Sequence, residues 1–398
     1  MAAGFLSGFA EFIFRHELIV SFYLLVALLV FIYRKKFQFQ LGFIAICRTK
    51  IGLGLMDRIA SRHRELVKLF GYVAIGAGFI SMVFIMFILA KSALTLLTVP
   101  GSPSPLAPAL PGVRIPGVPE SFFVPFVHGI LAIFIIAVVH EFAHGVVSRA
   151  HNVAVKSSGP AIVGPMFAAF VEPDDEQLKK KSDVVNYSIF AAGSFSNLVL
   201  TAILLVFVSM VFVPLAGFLL EKDGVVLSQV TPGAPAYSAG LAQGTVIKAV
   251  NGNPVVSTKG IFDQLSHVKP TETVVFSNGT AEFSAVAAVY PGNSSRGFFG
   301  IDVAQHYNPD KFPFGIVSWL SELLWWIITL GFGIGLANMI PVGPLDGGKM
   351  LRLALARLRG EQKANKAFIR FSLVLLVLIL FLLSPIFKAI VKSVVGIF

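Results

Sequence analysis

The pentapeptide His140-Glu141-Phe142-Ala143-His144 sets two imidazoles and a carboxylate into an otherwise apolar stretch. Histidines at i and i+4 of an α-helix stand on one face, a turn apart. Both rings can therefore reach one Zn2+ at about 2.0–2.1 Å. Glu141 sits beside the first ligand, where it can take a proton from a water that the metal polarises. With 8 histidines among 398 residues, chance supplies only about 0.005 such pentapeptides. A polar cluster that merely packs the helix is the competing reading. Ionisable groups inside an apolar span are too costly to favour it.

Two histidines leave the site incomplete, because a catalytic zinc takes three protein ligands and keeps one position open for water. His16, His63, His267 and His306 fall outside the apolar runs, and His151 lies beyond the expected helix end. His128 lies about three turns before His140. Asp346 is the better candidate. It lies in Asn338-Met339-Ile340-Pro341-Val342-Gly343-Pro344-Leu345-Asp346-Gly347-Gly348, which closes the fifth apolar run on the same side as His144. The prolines and glycines break the helix there, and broken backbone at membrane depth is tolerated where it lines a protein cavity. A helix N-cap before Lys349–Leu358 is the other reading of Asp346. Matching depth and the unfilled coordination position favour the metal.

The elements that carry these residues belong to a membrane protein. The chain is 56% hydrophobic and 13% charged, against about 25% charged in soluble domains. Six apolar stretches, 17–33, 70–97, 121–148, 185–219, 313–340 and 367–395, approach or exceed the length a bilayer core demands. Glu11 and Glu17 around the start of the first run argue against a cleaved leader. The net charge of +11 is concentrated in loops 34–69, 149–184 and 341–366. Such basic loops mark the cytoplasmic face rather than nucleic-acid binding. Both termini and the segment between the fourth and fifth spans are then expected outside, in a multi-pass protein of the cell membrane. One cysteine, Cys47, excludes a disulfide scaffold. Loop 98–120 carries seven prolines and reads as an extended connector.

Residues 220–310 have a different composition. Short strands at 224–230, 245–250, 274–276 and 281–289 alternate with turn signals such as Asn251-Gly252 and Asn278-Gly279. Short helices are expected before Gly240 and around Ile261–His267. This is a small α/β domain inserted in the helical chain.

Taken with Asn338, Pro341 and Leu345-Asp346-Gly347-Gly348 far downstream, the pentapeptide resembles the site-2 protease family of intramembrane zinc metalloproteases. Gly193 and Asn197 are similar to the family's glycine and asparagine in the helix after the zinc helix. Their expected role is support and close helix packing. The resemblance implies a polytopic α-helical protein of about six transmembrane helices with a membrane-associated β element. Residues 1–120 would form two N-terminal helices, and 121–219 the zinc helix and second core helix. The outer domain would be 220–310, and 311–398 the third core helix and a last span. It implies one Zn2+ per chain on His140, His144 and Asp346, Glu141 as catalytic acid/base, and Asn338 touching substrate or oxyanion. The segment 152–173, with Ala161, Ile162, Val163, Phe167 and Phe170, would be the β element, whose edge holds substrate as an added strand.

The inserted domain resembles a PDZ domain of the bacterial protease type. Thr245 stands where an aspartate is usual, and Gly297-Phe298-Phe299-Gly300-Ile301 resembles the peptide-terminus loop but comes last, as in a circular permutation. It would bind a peptide terminus or filter access. The activity implied is intramembrane endoproteolysis of single-span membrane proteins in the lipid bilayer. The rivals are a non-catalytic, peptide-binding scaffold with a structural metal and, more weakly, a metal transporter.

Overall fold

The computed structural model describes residues 17–40, 44–99, 101–164 and 166–395. Two compact units divide it, one of residues up to Val206 and from Glu322 onward, the other Phe207–Ser321.

The first unit opens with α1 (Glu17–Ile32) and a hairpin of β1 (Phe37–Gln40) and β2 (Ile44–Cys47). Then come α2 (Leu53–Arg62) and the 35-residue α3 (Arg64–Thr98). After the proline-rich segment, α4 (Phe126–Ala150) starts directly behind Pro125, and a second hairpin follows, β3 (Val155–Val163) and β4 (Met166–Pro173). Next is α5 (Asp183–Phe207), whose helical backbone runs on through a π-turn to Leu219.

The inserted unit holds β5 (Lys222–Val230), β6 (Val246–Ile247), β7 (Ala249–Val250), β8 (Asn253–Pro254), α6 (Thr258–Leu265), β9 (Thr273–Ser277), β10 (Glu282–Val286), β11 (Ala288–Tyr290), β12 (Asn293–Phe298) and β13 (Ile301–Tyr307). The chain then returns to the first unit through α7 (Phe314–Ala337), α8 (Asp346–Arg359), α9 (Glu361–Leu382) and α10 (Ser384–Val395).

Among the described residues five helices are long and apolar enough to cross a membrane. These are α3, α4, α5 with its extension, α7 and α9. The first expected run, α1, is apolar but only 16 residues long, about 24 Å. The last expected span, 367–395, is two helices rather than one. α9 ends at Leu382 and α10 begins at Ser384 with Pro385 in its first turn, because a proline supplies no N–H to carry the ladder onward.

Small residues let the core helices approach closely. A methyl group on Gly335 of α7 would stand 3.3 Å from Asn197 Cβ on α5, and one on Gly331 would stand 2.9 Å from Thr201 Oγ1. Met56 of α2 and Val67 of α3 share one buried cluster with Val146 and Val147 of α4 and Ile189 of α5. α2 therefore packs on the helix that carries the histidines.

The four strands of this unit form one antiparallel sheet in the order β1-β2-β3-β4. The segment 152–173 is a β element as expected, but two of its strand mates come from 37–47, which reads in the sequence as a basic loop. Phe-Gln-Phe-Gln and Ile-Ala-Ile-Cys are too short for a clear period-2 signal among their charged neighbours.

In the inserted unit the first and last strands pair with each other, Ile301 opposite Val230 and Val303 opposite Leu227. A compact core of Val225, Leu227, Leu241, Ile247, Ile261, Val274, Phe276 and Phe299 fills it.

Candidate metal centre

Three elements converge on one point. α4 offers His140 and His144 from one face, and both are buried. α5 lies against them with a stripe of small buried residues, Ala191, Ala192, Gly193, Ser194, Ser196 and Asn197. The break between α7 and α8 supplies Asp346, which is 4% exposed. That break is built for a tight turn. Gly347 N–H donates to the Asn338 carbonyl at 2.8 Å. A side chain on Gly347 would strike the Met339 backbone, and one on Gly348 would meet the carbonyls of Val342 and Gly343 at 2.6 and 2.7 Å. Asp346 is the first residue of α8 and caps nothing, since the N-cap position is Leu345. Its carboxylate faces the histidines instead.

Asp346 Oδ2 lies 3.2 Å from His140 Nε2 and 3.3 Å from His144 Nε2. The two Nε2 atoms are 3.1 Å apart. Donor atoms around a tetrahedral zinc at 2.0–2.1 Å are separated by about 3.3 Å, so this set fits that ion. The imidazoles are held with Nε2 inward. His144 Nδ1 donates to the Ile189 carbonyl at 2.6 Å. The side-chain amide of Asn197 lies 3.1 Å from His140 Nδ1. The facing atom is Nδ2, while Oδ1 is buried without a partner among the described residues; turned over, the amide accepts the Nδ1–H and leaves Nε2 as a lone pair. Gly193 leaves the room these rings need, because a Cβ there would overlap both Nε2 atoms. The aspartate is held too. Ser194 Oγ donates to Oδ2 at 3.1 Å, and Lys349 Nζ reaches Oδ1 at 3.3 Å.

Glu141 Oε2 accepts the Val171 N–H at 2.9 Å, which ties the carboxylate to β4. Val171 turns this N–H away from β3, onto the side of β4 that pairs with no strand among the described residues. Phe167 and Phe170 lie on the same edge strand. Ala161, Ile162 and Val163 do not. They are in β3, opposite Ile46, Ala45 and Ile44 of β2 on one side and Ala168, Phe167 and Met166 of β4 on the other. Their backbone is enclosed on both edges, so they are corrected as positions for strand addition.

Asn338 is half-buried just past α7, and its carbonyl closes the turn to Gly347. His151 ends α4, and its Nε2 lies 3.1 Å from Ser188 Oγ. Burial, with Lys68, Lys181 and Arg64 nearby, pushes its imidazole below the ordinary histidine value. The residues that sequence reasoning missed are Ser194, Lys349 and Val171. Lys349, three residues after Asp346 and thus one turn on, had a local signal. The other two had none.

The sequence pattern of Peptidase family M50 matches residues 128–380, which hold His140, Glu141, His144 and Asp346. This chain belongs to peptidase family M50. Among its relatives, an uncharacterized protein of Methanocaldococcus jannaschii is 26% identical over 77% of this chain and 76% of its own length. Zinc metalloprotease RasP of Shouchella clausii is 25% identical over 55% of this chain and 63% of its own. The M50 chain is thus a protease by descent, set in a multi-pass membrane protein, and zinc is the metal its family implies. The scaffold alternative draws no support from this match.

Proposed function

We propose that this M50 chain is an intramembrane zinc endopeptidase that cuts the transmembrane segments of single-span membrane proteins, in regulated intramembrane proteolysis. The observation that carries the reading is the convergence of His140, His144 and Asp346 beside a general base, Glu141, itself joined to an open β-strand edge.

One zinc per chain would be held by His140 Nε2, His144 Nε2 and Asp346 Oδ2, and when bound it supplies a Lewis acid for the scissile carbonyl. Glu141 takes the proton of the attacking water and returns it to the leaving amine. A helix hides its peptide groups in its own hydrogen bonds, so a substrate must unwind before it is cut. The edge of β4 that pairs with no strand among the described residues, with Phe167 and Phe170, supports reading it as the place where the unwound segment adds as a strand. Asn338, at the mouth of the turn that carries Asp346, is assigned to substrate or oxyanion contact.

The basic loops are read as cytoplasmic, and both termini and the inserted unit as extracytoplasmic. That unit is read as a permuted PDZ-like domain. The pairing of its first and last strands, and Gly297–Ile301 at their junction, support this. It takes a peptide terminus or screens substrates by size.

The test uses purified protein in detergent with a single-span fusion substrate and a chelator control. Wild type cleaves, and Glu141→Gln retains zinc while losing about 10²–10⁴-fold in rate. Equal cleavage by the two proteins would overturn the reading.

A further inference from the structure

The region matched by the family begins at residue 128, yet the sheet beside Glu141 is completed by residues from 37–49. Thr49 and Ser158 exchange backbone hydrogen bonds at 2.9 and 3.1 Å, and Thr49 Oγ1 adds a third at 2.7 Å to the Ser158 carbonyl. Ser158 stands opposite Val171 in the β3–β4 register. Val171 in turn donates to Glu141. Thr49, Ser158 and Val171 thus form one row across the sheet, which the Glu141 side chain of α4 continues.

Arg48 lies beside this row. Its guanidinium spans β3 to reach Glu172 with two prongs, Nε to Oε2 at 2.9 Å and Nη2 to Oε1 at 3.3 Å. Ser157 Oγ also donates to Glu172, and Gln38 of β1 accepts from Arg48. A two-pronged guanidinium–carboxylate pair fixes orientation as well as distance. Glu172 is the residue after Val171, so fixing it fixes the amide that holds Glu141. A methyl group on Gly159, next to Ser158, would strike the Cys47 carbonyl. The segment carrying Arg48, directly after β2, is therefore seated closely on β3.

We infer that Arg48 is a positioning residue for the catalytic base: through Glu172 it holds β4 so that the Val171 N–H keeps Glu141 in place. The segment before the family domain thereby belongs to the catalytic apparatus. The inference rests on reading Glu141 as general base.

The test compares Arg48→Met, Arg48→Lys, Glu172→Gln and the exchanged pair Arg48→Glu/Glu172→Arg in the full chain. Two quantities are read in each: kcat and KM with the single-span substrate, and hydrogen exchange of peptides covering 166–173. Arg48→Met and Glu172→Gln are expected to lower kcat about tenfold, since misplacement of a catalytic group by an ångström costs up to about 10²-fold. KM and zinc content should hold, and exchange of 166–173 should quicken. Arg48→Lys, a one-pronged cation, recovers part of the loss, and the exchanged pair recovers more than either of its single changes. Glu172→Gln is nearly isosteric, so it serves where Arg48→Met fails to fold. Wild-type kcat in both single variants, or a lowered kcat with unchanged exchange, would overturn the inference. A wild type that does not cleave at all defeats the peptidase reading instead, and the exchange measurement then still decides whether Arg48 holds β4.

Discussion

Asn197 of α5 lies 3.1 Å from His140 Nδ1, on the side of the ring away from Asp346. The ring is therefore gripped from behind by a neutral amide, while the opposite nitrogen joins the donor set. Partners of this kind are worth about 10–100-fold in metal affinity. Asn197→Ala is expected to weaken zinc binding by that factor, measured by competition with a chelator. Asn197→Asp, which still accepts from Nδ1–H, should stay closer to wild type. Equal affinities for wild type and Asn197→Ala would assign the residue to packing alone.

Gly193→Ala sets two effects against each other. Alanine in a helix interior is favoured over glycine by roughly 1 kcal/mol. The added Cβ, however, overlaps both inward-facing imidazole nitrogens, and a zinc site cannot form with the rings displaced. Stoichiometric zinc analysis should find the metal lost, with thermal stability not raised by the helix gain. Full zinc occupancy would show that the rings have other room.

Asp346→Ala removes a whole donor rather than its support, so the loss in zinc affinity should exceed about 100-fold, above the range for supporting groups. Wild-type stoichiometry near one zinc per chain is the reference. Retained tight binding in Asp346→Ala would send the search for the third ligand elsewhere.

His151 makes stability depend on pH. Burial, then Lys68, Lys181 and Arg64, lowers its folded value below the ordinary 6.5, with Glu65 opposing. A depressed value means that the folded state resists protonation. The contribution is present above the unfolded value and is lost as pH falls below about 6.5 through the folded one. Thermal melting between pH 8 and 5 should show a decline that is shallower in His151→Asn. Identical pH profiles would remove His151 as the cause.

Topology can be read by labelling. With Cys47 replaced, single cysteines at Ser266 and Arg359 should react from opposite faces of the membrane, as the distribution of basic loops demands. Labelling of both by an impermeant reagent added outside would refute the orientation.

Much of this was legible in the chain because it depends on local spacing. Two histidines four residues apart share a helix face whatever surrounds them. Apolar runs near bilayer length announce the spanning helices. The glycine and proline pattern after Asn338 announces a broken helix carrying Asp346. The strand and turn signals of 220–310 announce a separate unit.

Only the tertiary structure decided the rest, because those relationships join residues with no spacing rule between them. Ser194 reaches Asp346 across 152 residues of sequence and Arg48 reaches Glu172 across 124. The four-residue strands of 37–47 gain their partners only when β3 lies beside them, since short isolated hairpins are marginal in themselves. Their arrival turns β3 into an interior strand and leaves the outer edge of β4, beside Glu141, without a strand partner among the described residues. The helix spacing puts two candidate donors on one face; the packing of α5 and the α7–α8 turn against α4 brings Asp346 to them and decides how all three are held.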